Sequence, residues 1–368
     1  MEIEKFDKIV FCHKEHIDKL FGGIRIFDNS NKFVLSQLSL ELVDVPLEQT
    51  NSRWVRAWRT IKGIFKNYTD RDYLTIVSHF DSSKKVLLFV SHSQYGTLIK
   101  RIKKKYPFVL IATYFHNIEI TMAYNRLIYY KKPLPLFEII RDFRSERLVS
   151  KYSDKIYLLN AREQSLFEKY YSKRSVHICS VALPDRIPNF VPKQPKQNLK
   201  LLFVGTYFWG NIPGLVTFVN DVIPYVDAEL FIVGKDMEKI RGDINHDFSN
   251  VHYIGRVSDE VLADYYKMCD VFIAPITAGG GMKTKVAEAM MYGLPIIGTK
   301  EAFCGYDILV DQIGYCSDNI NEYKDYIVKI DGDRERITKM SSYARNCYLN
   351  YYSENSALNI YSTTLLKI

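Results

Sequence analysis

The chain has 368 residues, 47% of them hydrophobic and 25% charged, which excludes a disordered or low-complexity protein and suits two domains better than one core. Its net charge of +8 is unevenly shared: residues 1–195 hold 33 Lys+Arg against 20 Asp+Glu, and the remainder holds 17 against 22. A basic half beside a mildly acidic one fits an anionic partner for the first half, such as a membrane surface or a phosphorylated acceptor, and fits a plain solvated surface equally well. Six scattered cysteines, with no C-x-x-C pair or Cys/His cluster, argue against structural zinc and fit a reducing cytoplasm.

The opening MEIEKFDKIVFC is acidic and lacks the apolar region of a signal peptide. Apolar, β-branched runs predict strands at 8–12, 41–45, 86–90, 108–113 and 155–159, separated by helical stretches at 31–38, 54–68, 95–105, 136–151 and 161–171. The longest apolar runs are strand-sized, far short of a membrane span. The expectation is a soluble cytoplasmic protein, at most attached to the inner face of a membrane. Residues 182–200 hold Pro184, Pro188, Pro192 and Pro195 among polar residues, the composition of a linker. Beyond it, strands are expected at 201–204, 229–233, 251–254, 271–275 and 295–298, with helices at 212–225, 259–268 and 283–292. Two successive β-α alternations predict two parallel sheets.

The most informative stretch is Ala278-Gly-Gly-Gly-Met-Lys-Thr-Lys-Val-Ala-Glu288, lying between a strand and a helix. Glycines let a ligand approach the backbone, and the first amides of a helix are donors beside the positive end of its dipole. Gly280, Gly281 and Met282 therefore suit a diphosphate, with a tight strand-to-helix turn as the plainer reading. Lys283 and Lys285 supply cations, unless they form a solvated face. Glu288, three residues after Lys285, shares its face and suits ribose hydroxyls.

Elsewhere, Trp54, Trp58, Ile61 and Phe65 form a helical stripe flanked by Arg56, Arg59, Lys62 and Lys66. Core packing is the favoured reading and an interfacial membrane helix the other. Arg101, Lys103, Lys104 and Lys105 form a second basic cluster, and no nucleic-acid module accompanies either. Asp70-Arg-Asp72 and Asp331-Gly-Asp333 lie away from the glycine run in polar, loop-like sequence and are expected to be surface aspartates rather than metal ligands.

With these residues in place, the chain is similar to the two-domain retaining glycosyltransferases of glycosyltransferase family 4, which have the GT-B fold. The segments that carry the likeness are Phe203-Val-Gly-Thr-Tyr-Phe-Trp-Gly-Asn-Ile-Pro-Gly214, Val251-His-Tyr-Ile-Gly-Arg-Val-Ser-Asp259 and the glycine run through Glu288. In the first half they are Phe21-Gly-Gly23, Ser91-His-Ser-Gln-Tyr-Gly96 and Phe115-His-Asn-Ile-Glu119. The resemblance implies α/β architecture, with two Rossmann-like domains whose parallel sheets face across a cleft. An acceptor-binding domain would span residues 1–190 and a nucleotide-sugar donor domain 198–345, with a helix over 346–368 crossing back to the first.

The resemblance also implies roles. Lys285 would face the departing diphosphate and Glu288 the ribose, with Thr284 touching ribose or phosphate. Arg256 and Lys283 would help bind the donor. His116 would sit near the donor sugar, although a lone histidine is often structural. Gly22 and Gly23 would let the first loop approach the diphosphate, or form a plain turn. Glu119 would hold His116 or a loop in place, or contact the acceptor. The chain departs from the pattern at Gly280, where many members carry a sugar-contacting glutamate. The implied reaction is transfer of a hexose-type sugar from a nucleotide-diphosphate donor such as a UDP-sugar to a hydroxyl of a glycan or lipid-linked acceptor, in bacterial surface polysaccharide or glycoconjugate synthesis. No metal or other cofactor is expected; the partners are the donor, the acceptor and a peripheral membrane contact through the basic first half, without nucleic acid. A nucleotide-sugar epimerase of the same fold and a non-catalytic supporting subunit are the rival readings.

Overall fold

A computed structural model describes residues 5–14, 23–48, 53–61, 67–131, 134–171, 176–194, 198–306 and 310–366; within these, the side chains at 24, 53, 56, 57, 59, 129, 130 and 134 are outside the description. The chain divides into two compact units, Met1–Ala182 with Glu354–Ile368, and Leu183–Ser353. These divisions fall at 182/183 and 353/354, against expected domain boundaries at 190, 198 and 345.

The first unit is built on six parallel strands: β1 (Phe6–Lys14), β2 (Ser39–Leu47), β3 (Val86–Ser91), β4 (Leu110–Tyr114), β5 (Lys155–Leu158) and β6 (Val176–Ile178). Their order is β2-β1-β3-β4-β5-β6. The central strand β3, Val-Leu-Leu-Phe-Val-Ser, is buried at every position, as a parallel strand covered on both faces demands. The helix Glu354–Leu365 packs on this sheet. Tyr361 is buried, edge-on to Tyr157 at 4.9 Å, and its hydroxyl donates to Asn31 Oδ1 at 2.7 Å. That contact gives the helix its apolar partner.

The second unit has another six parallel strands: β7 (Leu199–Val204), β8 (Ala228–Val233), β9 (Val251–Gly255), β10 (Val271–Ala274), β11 (Ile296–Gly298) and β12 (Gly314–Cys316). The order β12-β11-β10-β7-β8-β9 sets β7 beside β10, so the winding reverses between them. Residues 183–194 are more than a linker: the Lys193 amide donates to Ser341 Oγ at 2.9 Å and the Lys193 ammonium to the Tyr266 carbonyl at 2.8 Å.

Two expectations need correction. The helix Arg53–Ile61 does not bury its aromatic stripe: Trp54 is 75% and Trp58 54% exposed, and Ile61 is exposed too. Thr60 is buried; Phe65, Lys62 and Lys66 lie outside the described residues. Asp72 is buried rather than superficial, forming a reciprocal capping box with Thr69 at the start of Asp70–Val77. Asp333 is exposed, as expected of a surface aspartate, and caps the helix Arg334–Cys347, accepting from the Arg336 amide at 3.1 Å.

Candidate functional site

The loops leaving β7 and β10 flank the reversal point of the second sheet, where open α/β sheets take ligands. They are fastened to one another through backbone. The Thr277 amide donates to the Gly210 carbonyl at 3.0 Å, and a Cβ on Gly210 would stand 2.1 Å from the Ala278 carbonyl oxygen. Only glycine permits that approach.

The turn after β10 continues through Ala278 and the three glycines, with Gly281 in the left-handed region at φ +59. Among the described residues, the amides of Gly280, Gly281 and Met282 have no partner. Met282 is buried, and Thr284 opens the helix Thr284–Met291 half-buried. The buried Tyr306 closes the helix from below, its hydroxyl donating to the Lys283 carbonyl at 2.8 Å and accepting from the Ala287 amide at 3.2 Å.

The two lysines differ in their partners. Lys283 is ion-paired with Glu301 at 2.6 Å. Lys285 instead donates to Asn211 Oδ1 at 3.1 Å and lies 5.1 Å over the Phe203 ring. Burial pushes the Lys285 ammonium down to about 7, the neighbouring Lys283 charge adds to that, and Glu288 opposes it. Asn211 is fixed in turn by donating to the Thr206 carbonyl at 2.9 Å. A cation supported by an amide oxygen and a ring face is poised for an incoming anion.

One turn on, the half-buried Glu288 accepts from the Tyr266 hydroxyl at 3.1 Å through Oε2. Burial raises its pKa, against the Tyr266 hydrogen bond and the Arg186 charge. The Tyr266 ring stacks on Tyr292 at 4.8 Å, which fixes the hydroxyl. Oε1 of Glu288 has no partner among the described residues. Arg256 stands exposed beyond β9, the edge strand, two strands from β7.

In the first unit the winding reverses between β1 and β3. Gly22 lies outside the described residues, and Gly23 is the first residue of the helix Gly23–Ser36 rather than part of a turn. That helix carries Asp28, which is 2% exposed. Ser91, at the end of β3, donates to Asp28 and lies 2.8 Å from His116 Nε2; His116 Nε2 is 3.4 Å from Asp28 Oδ1. The His92 ring stacks on His116 at 4.1 Å, with His92 itself at the strained backbone angle φ +117. Phe27 meets His116 edge-on at 5.2 Å.

His116 is thus 4% exposed, with Nε2 committed to Ser91 and Asp28, and its Nδ1 has no hydrogen-bond partner among the described residues. Two buried carboxylates hold the loop after it: Glu163 accepts from the Ile118 amide at 2.8 Å, and Glu146 from the Glu119 amide at 2.7 Å. Burial pushes Glu146 up to about 8 and raises Glu119 as well. Asp28, His92 and His116 present ligand-type atoms within 4.8 Å of one another, and the hydroxyl of Ser91 joins Asp28 to His116.

The sequence motifs single out Lys285, Glu288 and His116 but not the neighbours that the structure sets against them. Asn211 and Ser91 stood inside quoted segments with no role attached. Asp28, Tyr266, Glu301 and Tyr306 carried no local signal.

Comparison with known proteins adds a domain assignment. The family described as Glycosyl transferases group 1 matches residues 198–330. A curated relative, an uncharacterized 44.6 kDa protein in the cps region of Klebsiella pneumoniae, is 27% identical over 230 residues; the match spans 54% of this chain and 58% of that protein. Among solved structures, sucrose-phosphate synthase from Thermosynechococcus elongatus superposes with a TM-score of 0.74 at 12% identity, covering 98% of both chains. Anabaena HepE in complex with UDP-glucose gives 0.70 at 11% identity, covering 98% of this chain and 100% of that one. WaaG, a glycosyltransferase involved in lipopolysaccharide biosynthesis, gives 0.61 at 16% identity over 96% and 99%. The chain has the two-domain Rossmann-like GT-B fold, and its residues 198–330 match the glycosyl transferases group 1 family.

Proposed function

We propose that this protein is a retaining glycosyltransferase that moves a sugar from a nucleotide-diphosphate donor, such as a UDP-sugar, to a hydroxyl of a glycan or lipid-linked acceptor in surface-polysaccharide synthesis. The observation that carries the reading is Lys285: a buried ammonium with no carboxylate bonded to it, beside the unpartnered amides of Gly280 to Met282, at the reversal point of the second sheet. That arrangement suits a diphosphate. The group 1 domain match supports it, as do UDP-glucose in the HepE structure and the cps-region setting of the Klebsiella relative. Retention rests on the likeness to family 4.

In this reading Glu288 holds the ribose through Oε1, with Tyr266 fixing its other oxygen. As the bond from the sugar C1 to the diphosphate oxygen breaks, Lys285 and the turn amides take up the charge on the leaving group. The acceptor oxygen bonds to C1 on the same face, and its proton passes to the departing phosphate oxygen. On the likeness to family 4, His116 stands near the donor sugar, with Asp28 and Ser91 fixing its ring. No metal is part of the proposal.

Lys285→Ala is expected to lower kcat about 10²–10³-fold, the range for losing one stabiliser of developing charge, and Glu288→Ala to weaken donor binding, both with folding unchanged. Release of nucleoside diphosphate, with and without acceptor, measures this. Near-normal turnover in both variants overturns the site, and acceptor-independent isomerisation of the donor points to an epimerase.

Peripheral membrane contact belongs to the same proposal. The outward Trp54, Trp58 and Ile61 and the basic excess of residues 1–195 support it. The doubly substituted W54E/W58E protein should lose sedimentation with anionic lipid vesicles; wild-type protein that stays in the supernatant refutes the contact. Among the described residues, no helix is long and apolar enough to cross a membrane.

A further inference from the structure

The second unit separates its charges in a way that divides the donor. Among the described residues Lys285 is bonded to an amide oxygen and lies over a ring, with no carboxylate in hydrogen-bonding contact, so its positive charge is available to phosphate. Lys283, two residues earlier, is neutralised by Glu301 at 2.6 Å. A carboxylate in that position repels a diphosphate but suits an uncharged sugar, whose hydroxyls donate to carboxylate oxygens and accept from an ammonium. We infer that Glu301, paired with Lys283, reads the hydroxyls of the donor sugar; this rests on the donor-site reading above.

Geometry places the pair at the glycine turn. The Lys283 ammonium lies 3.5 Å from the Gly280 carbonyl and 3.4 Å from the Gly281 carbonyl. A Cβ built on Gly279 would be 3.2 Å from Lys283 Cε and 3.8 Å from Glu301 Oε1, so the bare glycine keeps the space over both groups clear. The turn from Ala278 to Gly281 offers no polar side chain of its own, and Lys283 and Glu301 are the side chains nearest a Cβ on Gly279.

Glu301 is also rigidly mounted. It follows β11, and the segment carrying it is tied to the exit of β10: the Thr299 amide donates to the Ala274 carbonyl at 3.2 Å and the Thr299 hydroxyl to the Ile276 carbonyl. The Ala302 amide closes the turn on Thr299 Oγ1 at 3.1 Å, and the Lys300 amide is held by Asp318 Oδ1 at 2.9 Å. Side-chain exposures of 10% for Lys283 and 21% for Glu301 leave the pair reachable yet partly desolvated. A pre-organised, partly dry carboxylate is what discrimination among sugar hydroxyls requires.

The test compares nucleoside diphosphate with nucleotide sugar by calorimetry. UDP, GDP and their glucose, galactose, N-acetylglucosamine and mannose derivatives are titrated into wild type, Glu301→Gln and Lys283→Met, using the nucleotide that wild type binds. Both variants should bind the nucleoside diphosphate within twofold of wild type. They should weaken the preferred nucleotide sugar tenfold or more and narrow the spread among sugars. Equal weakening of both ligands makes the pair a prop for the turn and overturns the inference, as does no change in either. Loss of nucleoside diphosphate binding in Lys283→Met alone also overturns it, because Lys283 would then be a phosphate cation. Wild type that binds none of these nucleotides brings down the donor-site reading itself, a result distinct from the others.

Discussion

The two sheets present their ligand-facing ends differently although both are six-stranded, parallel and reversed once. At the reversal point of the second sheet the groups are mostly backbone: a glycine turn, unpartnered amides and a lysine steadied by Asn211. At that of the first, side chains do the work, with Asp28, Ser91, His92 and His116 packed into one buried network. Backbone amides and a desolvated cation recognise fixed negative charge and are indifferent to what else the ligand carries. A buried carboxylate–hydroxyl–imidazole chain instead fixes a ring tautomer and direction, which suits a neutral, proton-bearing partner. In the proposed function, one fold repeated serves as an anion site and as an orienting site.

That contrast predicts that the two can be broken separately, and Asp28 gives the largest effect. Asp28→Ala leaves Ser91 and His116 without their buried acceptor, at about 1–3 kcal/mol, the usual cost of unpaired buried polar groups. For a unit of this size that is about 2–4 °C in Tm per kcal/mol. Asp28→Asn, which keeps the shape, should lower kcat about tenfold or more by freeing the His116 ring, a loss on the scale of one misdirected acid–base group. Nucleotide affinity, set by the second unit, should stay within twofold in both. Calorimetry and turnover measured together decide the matter; a variant that loses donor affinity in step with kcat would show the two sites to be one.

The residues involved show how far the sequence could be read. Ten of the twelve strands follow from continuous apolar runs, but β6 and β12 are three-residue edge strands, too short for any period to register. The helix Gly23–Ser36 begins eight residues ahead of its expected start, because Asp28, Asn29, Ser30 and Asn31 lend it turn-like composition while burial overrides it. The nearness of Lys285 and Glu288 was legible because both lie on one turn of one helix. Their partners were not, because folding brings them in from afar: Asn211 lies 74 residues from Lys285, Glu301 18 from Lys283, and Asp28 63 from Ser91. The outward face of Trp54 and Trp58 was misjudged for a related reason. Helical spacing identifies a stripe, but only the packed neighbours decide which face is covered.

A smaller and more graded test uses acidity. Burial pushes the Lys285 ammonium down to about 7, so in the free protein it is charged below that pH and increasingly neutral above it. A bound diphosphate favours the charged form and raises its pKa, so binding above pH 7 takes up a proton. Affinity for a nucleotide sugar, whose diphosphate diester does not titrate nearby, should therefore be flat just below pH 7. It should fall above pH 7 with a limiting slope of about tenfold per pH unit, the value for one linked proton. Lys285→Arg, charged throughout, should remove that slope while keeping most of the affinity. On the acid side Glu288 gives the opposite limb: burial raises its pKa, so falling pH protonates it earlier than an ordinary carboxylate and weakens its hold on ribose hydroxyls. Calorimetry in two buffers of different ionisation enthalpy counts the proton directly. Proton uptake near one above pH 7 in wild type and near zero in Lys285→Arg would assign the anion site to that ammonium. Equal uptake in both would move the titrating group elsewhere, with the first unit's Glu146, pushed up to about 8, the next to examine, and the separation of the two sites would fail with it.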